Sequence, residues 1–333
     1  IPEEHHGIGL SRLDSTLIME ELAAGCTSTA AFISIHNMAF NMLARYGQKD
    51  VITQWSEALS TGDKLASYCL TEPGAGSDAA SLTTKAVKRN GQYILNGTKA
   101  FISGAGDTDL LIVMARTSDN GAKGITCFAV PANSKGISYG KKEDKLGWNS
   151  QPTRLIHFED VAIPENHLLS EEGKGFTLAM EGLDGGRLNI AACSVGTAKA
   201  SLKAATEYVQ ERKQFNKAIS EFQATQFKLA DMLTDLAAAR QMIRYAAFKL
   251  DHNQADKTAF CAMAKRFATD VGFQICDEAL QLHGGYGYIK EYPIERYFRD
   301  TRVHRILEGT NEVMRLIIAR RILSDDTFSI IHE

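Results

Sequence analysis

The chain has 333 residues, 44% of them hydrophobic and 23% charged, enough apolar matter for a large core or two to three domains and unlike a disordered or collagenous chain. A formal net charge of −3 argues against a phosphate-backbone footprint, so nucleic acid is not an expected partner, although local Lys/Arg clusters can still grip a small polyphosphate. No apolar run reaches the roughly 18 residues of a membrane-spanning helix, and the six cysteines (Cys26, Cys69, Cys127, Cys193, Cys261, Cys276) form no C-x-x-C pair, which excludes a zinc or disulfide framework and suits an intracellular, soluble protein.

Residues 1–62 read as helical. The stripe Leu13, Leu17, Ile18, Leu22 follows a Ser11 cap and stops at Gly25, and a second helix is expected from Thr27 or Ser28 through Tyr46. His5-His6 has no third ligand nearby and reads as solvent-exposed, so no metal is expected. From 63 to 170 the pattern changes to short strands: Tyr93–Leu95, Leu110–Ala115, Ile125–Val130 and Leu155–Phe158. Asn90-Gly91 and Asn96-Gly97 are two hairpin signals, so this zone reads as a small antiparallel barrel or sandwich. Over 171–333 helices return. Leu188, Ala191, Val195, Ala198, Leu202, Ala205 and Val209 alternate steps of three and four, and Phe222, Leu229, Leu236, Ile243 and Leu250 recur every seven with Met232, Ala239 and Ala246 between, the seams of a helix bundle.

The segment Tyr68–Asp78 ends an apolar run in Glu72-Pro73-Gly74-Ala75-Gly76-Ser77. Pro73 cannot donate to a ladder, so the backbone must turn; Gly74 and Gly76 remove β-carbons where a ligand could approach, and the Thr71 and Ser77 hydroxyls can bond its polar atoms. Gly74-x-Gly76-x-x-Ala79 imitates a dinucleotide fingerprint, but the Asn90-Gly91 hairpin signal stands where a Rossmann unit needs a helix. A second cluster, Gln281-Leu282-His283-Gly284-Gly285-Tyr286-Gly287-Tyr288, holds more glycines than a helix stop requires. Glu308 follows Ile306-Leu307 and precedes Gly309-Thr310, where a new helix is expected to begin. A carboxylate in apolar surroundings has its proton affinity raised toward that of a general base, although on local sequence alone a glutamate in the first turn of a helix is more often structural.

Taken together, Cys69–Ser81 and Gln281–Asp300 resemble the two signature patterns of the acyl-CoA dehydrogenase family, and the α–β–α order resembles it over nearly the whole chain. The resemblance implies an α+β fold: an N-terminal helical domain, partly missing here, a middle antiparallel β domain and a C-terminal four-helix bundle. It implies FAD, lined by Tyr68, Leu70, Thr71, Gly76 and Ser77, with Phe101, Ile102 and Ser103 at the flavin ring. Phe101 stands where many relatives have Trp. Arg212, Gln214 and Phe215 resemble the arm that reaches the FAD of a neighbouring subunit, aided by Phe222, Gln223, the cluster Gln281, Leu282, His283, Gly284, Gly285, and Thr310 and Glu312. A shared cofactor implies an obligate oligomer, a homotetramer built as a dimer of dimers. Ser77, Asp184, Gly185, Gly186 and Arg187 match positions that contact CoA, with Arg320 a candidate for its phosphates. Glu308 matches the catalytic base; the alternative position some members use is Gly186 here.

By the same resemblance Glu308 removes the α-proton of an acyl-CoA while the β-hydride passes to flavin N5. The segments 33–38, 147–154 and 185–191 resemble the short, branched-chain branch, which implies isobutyryl-CoA to methacrylyl-CoA, a step of valine degradation, with 2-methylbutyryl-CoA or butyryl-CoA as alternatives. An acyl-CoA oxidase, or a non-catalytic flavoprotein scaffold, are further alternatives. The expected electron acceptor is electron-transferring flavoprotein, in the cytoplasm if the source is bacterial or the mitochondrial matrix if it is eukaryotic.

Overall fold

A computed structural model describes residues 1–324 of the chain. Helices α1 (Arg12–Gly25), α2 (Thr27–Tyr46) and α3 (Lys49–Thr61) come first. Strands β1 (Ala66–Cys69), β2 (Lys85–Arg89), β3 (Gln92–Ser103), β4 (Leu110–Arg116), β5 (Ile125–Pro131), β6 (Ile137–Tyr139), β7 (Thr153–Pro164) and β8 (Leu168–Leu169) follow. The remainder is α4 (Gly175–Glu211), a hairpin of β9 (Lys213–Gln214) and β10 (Lys217–Ala218), then α5 (Gln223–Asp251), α6 (Lys257–His283), α7 (Ile294–Arg302) and α8 (Asn311–Ser324). Among the described residues no helix is long and apolar enough to cross a membrane. By contacts the chain forms two compact units: 1–10, 32–144 and 150–183 in one, and 11–31, 145–149 and 184 onward in the other.

The first unit is built on one sheet with the order β6-β7-β3-β2-β4-β5-β8, and β1 pairs with β4. Pairing is antiparallel, β4 with β5 included, except that β4 runs parallel to β1 and meets β2 in parallel at Lys85 and Arg116. The strands β4 and β5 are buried on both faces, hence their nearly continuous apolar runs, broken in β5 only by the buried Thr126. Leu110, Ile112 and Met114 pack with Phe40 and Leu43 of α2 and Trp55 and Leu59 of α3, whereas Leu111 and Val113 join Phe128, Tyr93, Leu95, Ile156 and Phe158. Asn90-Gly91 is the two-residue turn between β2 and β3, both residues left-handed at φ 49° and 75°.

Asn96-Gly97 is not a hairpin. It lies inside β3, where the register with β7 shifts between Leu95 and Gly97. Gly97 has φ +148°, and a β-carbon there would lie 2.7 Å from Thr84 Cα, so the glycine answers a close approach of backbone at a bulge. Asn96 instead binds Asp160 on the neighbouring strand, its Nδ2 donating to Oδ1 at 3.0 Å.

In the second unit, α4, α5 and α6 bury most of the expected seams: Leu188, Ala191, Val195, Ala198 and Leu202 meet Met232, Leu236, Ala239, Ile243 and Ala246, with Phe260, Ala264 and Ala268 closing the core, whereas Phe222 stands before α5 and outside that core. Ser11 caps α1 as expected, in a capping box with Asp14. Gly25 ends that helix without a left-handed turn; the break falls at Cys26, in extended conformation. The expected stripe of α1 is corrected: Leu17, Ile18 and Leu22 are exposed, and Thr16, Met19, Glu20 and Ala23 are buried instead. Close backbone approach decides this face, since a β-carbon at Gly196 of α4 would fall 2.0 Å from the Glu20 carbonyl oxygen. The Arg240 guanidinium from α5 then pairs with the buried Glu20 carboxylate at 2.6 Å.

Candidate active site

In the first unit, the Gly-rich turn is fastened by a buried ion pair. Lys99 of β3, fully buried, donates from Nζ to the Leu70 carbonyl at 3.0 Å and to Glu72 Oε1 at 2.8 Å. The Glu72 carboxylate also accepts from the Thr83 and Thr84 backbone N–H groups at 2.7 and 3.0 Å, and Glu72 and Ala75 exchange backbone hydrogen bonds across the turn. Burial alone would raise Glu72; the Lys99 ammonium and these donors override it and hold the carboxyl at about 2. The Ala100 N–H bonds the Thr71 carbonyl at 2.8 Å, so the end of β1 and the end of β3 are joined, and with them Tyr68, Thr71 and the Phe101–Ser103 segment. Leu70 and Ile102 are buried, which leaves mainly their backbone to a ligand. Gly76 and Ser77 lie exposed on the turn. Phe101 is 70% exposed at φ 55°, beside a second register shift between Lys99 and Ile102. An exposed aromatic held left-handed is strained, and strain of this kind gathers at ligand sites.

In the second unit, Arg212 and Gln214 and the cluster Gln281–Gly285 line one cavity of about 500 Å³. Tyr286 of the same Gly-rich cluster also lines it, as do three residues that sequence reasoning missed: Tyr208, Ile219 and Ile289. Tyr208 stacks on His283 with ring centroids 4.4 Å apart, and the Arg212 guanidinium lies 5.6 Å from the Tyr286 ring. The signal for Tyr208 was its place on α4 one turn before Arg212. Phe215 caps the β9–β10 turn at φ 54°, 88% exposed, edge-on to Phe222. Phe222 and Gln223, which begin α5, do not line the cavity.

Glu308 is carried between α7 and α8 on two consecutive left-handed residues, Glu308 at φ 55° and Gly309 at φ 88°. Its Oε2 is shut from solvent and has no hydrogen-bond partner. Burial pushes its carboxyl up to about 7, against the opposing pull of Arg187 and Lys265. Both carbonyls of the turn are held by cations: Arg187 Nε donates to the Glu308 oxygen at 3.4 Å, and Lys265 Nζ to the Gly309 oxygen at 2.7 Å. Thr310 caps α8, accepting from the Val313 N–H at 3.2 Å, and Glu312 is exposed in its first turn. Asp184 and Arg187 are buried and paired at 2.7 Å, with Thr258 donating to the same carboxylate. Gly185 and Gly186 are buried beside them, and Arg320 lies exposed on α8.

Upstream of Glu308, a closed chain of bonds fixes His304. Trp148 Nε1 can only donate, so His304 Nε2 accepts from it at 3.3 Å; His304 Nδ1–H then donates to Ser194 Oγ at 2.7 Å, and Ser194 to the Ile190 carbonyl. Burial holds this histidine neutral, pushed down to about 3.

Three family models match the chain: acyl-CoA dehydrogenase N-terminal domain over 1–63, middle domain over 67–161 and C-terminal domain over 173–323. The chain is 53% identical to the mitochondrial isobutyryl-CoA dehydrogenase of Bos taurus, over 96% of this chain and 77% of that protein. It is 54% identical to that of Dictyostelium discoideum, over 98% of this chain and 79% of the relative. The solved butyryl-CoA dehydrogenase of Megasphaera elsdenii superposes with a TM-score of 0.94 at 40% identity, over 97% of this chain and 86% of that one. The chain belongs to the acyl-CoA dehydrogenase family, flavin-dependent oxidoreductases that act on a CH–CH bond.

Proposed function

We propose that the chain oxidises isobutyryl-CoA to methacrylyl-CoA, with FAD as cofactor and Glu308 as the base. The observation that carries this reading is the Glu308 carboxyl itself, a solvent-shut oxygen with no partner, on a left-handed turn, with its proton affinity raised to about 7. Such a group has a task outside the fold, since a buried orphan acceptor is otherwise a cost. The choice of acyl chain is supported by the 53–54% identity to two isobutyryl-CoA dehydrogenases against 40% for the butyryl-CoA enzyme.

The residues present fit FAD. The cavity beside Arg212 offers a cation, stacked rings and two glycines, Gly284 and Gly285, with open space where a β-carbon would stand. Arg212 and Gln214 would there reach the FAD of a neighbouring subunit, and in the first unit Phe101 and Ser103 would offer a ring face and a hydroxyl to an isoalloxazine. FAD, when bound, accepts the β-hydride of the substrate. Glu308 takes the α-proton, and its backbone N–H would donate to the thioester oxygen; one such preorganised donor is worth roughly 3–4 kcal/mol. The β9–β10 tip carrying Phe215 would serve a neighbouring subunit's site in a homotetramer, and electron-transferring flavoprotein would collect the electrons.

Steady-state assays across isobutyryl-, 2-methylbutyryl- and butyryl-CoA test the substrate; a clear preference for the straight chain overturns it. Peroxide release under air would indicate an oxidase instead, and a colourless purified protein a scaffold without flavin. Because Glu308 must be ionised to act, the rate of anaerobic flavin bleaching by substrate is expected to rise with pH through about 7, the value to which burial lifts the carboxyl, and to level off above it. A profile flat between pH 5.5 and 8.5 would remove the assignment.

Gly186 gives a second handle. A β-carbon there would lie 2.6 Å from Glu308 Oε2, so Gly186→Ala must displace the carboxyl. Misplacement by about 1 Å can cost on the order of 10²-fold. The expected result is a fall in kcat/KM of roughly that size with flavin content unchanged, measured by steady-state kinetics and the visible spectrum.

A further inference from the structure

Lys265 is a lysine that neither the sequence patterns nor the reaction calls for. It sits on the inward face of α6 with Cys261, Ala268 and Gly272, and it is completely buried. Desolvating an ammonium this far is costly unless its donors are engaged. Two of them are: Nζ donates to the Gly309 carbonyl at 2.7 Å and to Asn311 Oδ1 at 3.0 Å. Asn311 is fixed in turn, its Nδ2 donating to Asp270 Oδ1 at 2.9 Å and to Thr269 Oγ1 at 3.0 Å. The lysine therefore grips both the residue after Glu308 and the first residue of α8.

The charged groups around this turn are Arg187 and Asp184 from α4, Lys265 and Asp270 from α6, and Glu312 from α8. Arg187 is paired with Asp184 at 2.7 Å, and Asp270 takes Arg305 at 2.8 Å. Among the described residues Lys265 bonds no carboxylate, so its charge is the one left without a hydrogen-bonded counter-ion beside Glu308. Its own proton affinity falls to about 8 through burial, partly restored by Glu308.

Resting on the reading of Glu308 as the base, we infer that Lys265 is its positioning residue: it locks the left-handed Glu308–Gly309 turn through the Gly309 carbonyl and supplies the charge that keeps the Glu308 carboxylate ionisable. Lys265 holds the Gly309 carbonyl from α6 while Arg187 holds the preceding carbonyl from α4, so the turn is clamped from two helices. A lysine there for packing alone would be replaceable by methionine of similar length without effect on the titration of Glu308.

Two measurements test this on the holoenzyme. In protein carrying ¹³Cε-labelled lysine, one resonance, identified by its loss in Lys265→Arg, should titrate near pH 8, the value to which burial lowers Lys265. Glu308→Gln, which keeps the size of the side chain, should lower that midpoint by about one pH unit, since coupling between two sites is reciprocal. In Lys265→Met, the pH midpoint of anaerobic flavin bleaching should rise by about one unit from about 7, leaving the rate roughly fivefold lower at pH 7 and recovered at higher pH. An unmoved lysine midpoint in Glu308→Gln overturns the inference even if Lys265→Met does not fold, as does an unmoved bleaching profile in a folded Lys265→Met. Failure of the underlying reading looks different: Glu308→Gln would then bleach the flavin normally, whatever the lysine does.

Discussion

Glu308→Gln is expected to lower the rate of anaerobic flavin bleaching by substrate by about 10²–10⁴-fold, the usual contribution of a positioned general base. The substitution keeps the shape that the left-handed turn and the Gly186 backbone accommodate, so flavin content and acyl-CoA binding should be close to those of the parent protein. It should also change stability in a particular sense. Folding raises the proton affinity of Glu308 from an ordinary 4.5 to about 7, so the folded state takes up a proton between those values and stability declines as pH rises through that window. The glutamine variant lacks this decline and should be the more stable protein at pH 8. Stopped-flow bleaching and denaturation at pH 5 and pH 8 check both halves. A variant that bleaches at near-normal rate removes Glu308 as the base; one that loses stability at pH 8 contradicts the origin assigned to its raised proton affinity.

The second large effect concerns the other unit. Glu72→Gln should destabilise the protein by about 3–5 kcal/mol, because it leaves the ammonium of Lys99 buried without its counter-charge. The Thr83 and Thr84 N–H groups would lose their charged acceptor at the same time. Lys99→Met combined with Glu72→Gln should recover much of the loss, since a neutral pair does not strand a charge. In the parent protein the pair also sets an acid limit. Glu72 is held at about 2 in the folded state against an ordinary 4.5, so its contribution is complete above pH 4.5 and disappears as pH falls toward 2. Chemical denaturation monitored by fluorescence at pH 7 and pH 3 checks this; a loss below about 1 kcal/mol at pH 7, the size of an exposed pair, would show that the pair does not hold the turn. The same variant should bind flavin more weakly, because Lys99 also holds the Leu70 carbonyl at the start of the Gly-rich turn.

Much of this was legible in the chain because it depends on local rules. The seams of α4 and α5 follow from helical periodicity, and the exchange of helix for strand and back follows from the change of that period. The Asn90-Gly91 turn needs only two residues that tolerate positive φ. The family could be read from two long motifs, since the chemistry of binding a cofactor fixes residue types in short runs. The apolar approach to Glu308 and the helix start behind it drew notice to the residue, but local sequence left a structural role open and only the resemblance to the family marked it as a base.

Where local rules failed, a distant backbone had decided. Asn96-Gly97 carries the same turn chemistry as Asn90-Gly91, yet it forms a bulge because Thr84 packs against Gly97 and leaves no room for a side chain. The apolar stripe of α1 predicted burial of Leu17, Ile18 and Leu22, but the contact of Glu20 with Gly196 and Arg240 turned the other face inward. Lys99 and Lys265 read as ordinary lysines. Their burial becomes intelligible only when Glu72 and Leu70, or Gly309 and Asn311, are brought to them from elsewhere in the chain. The sequence by itself determined the elements and the residue types of the site, because period, turn chemistry and motif are local. Tertiary structure alone decided which charges are buried together and how Glu308 is held, because desolvation and ion pairing depend on residues far apart in the chain.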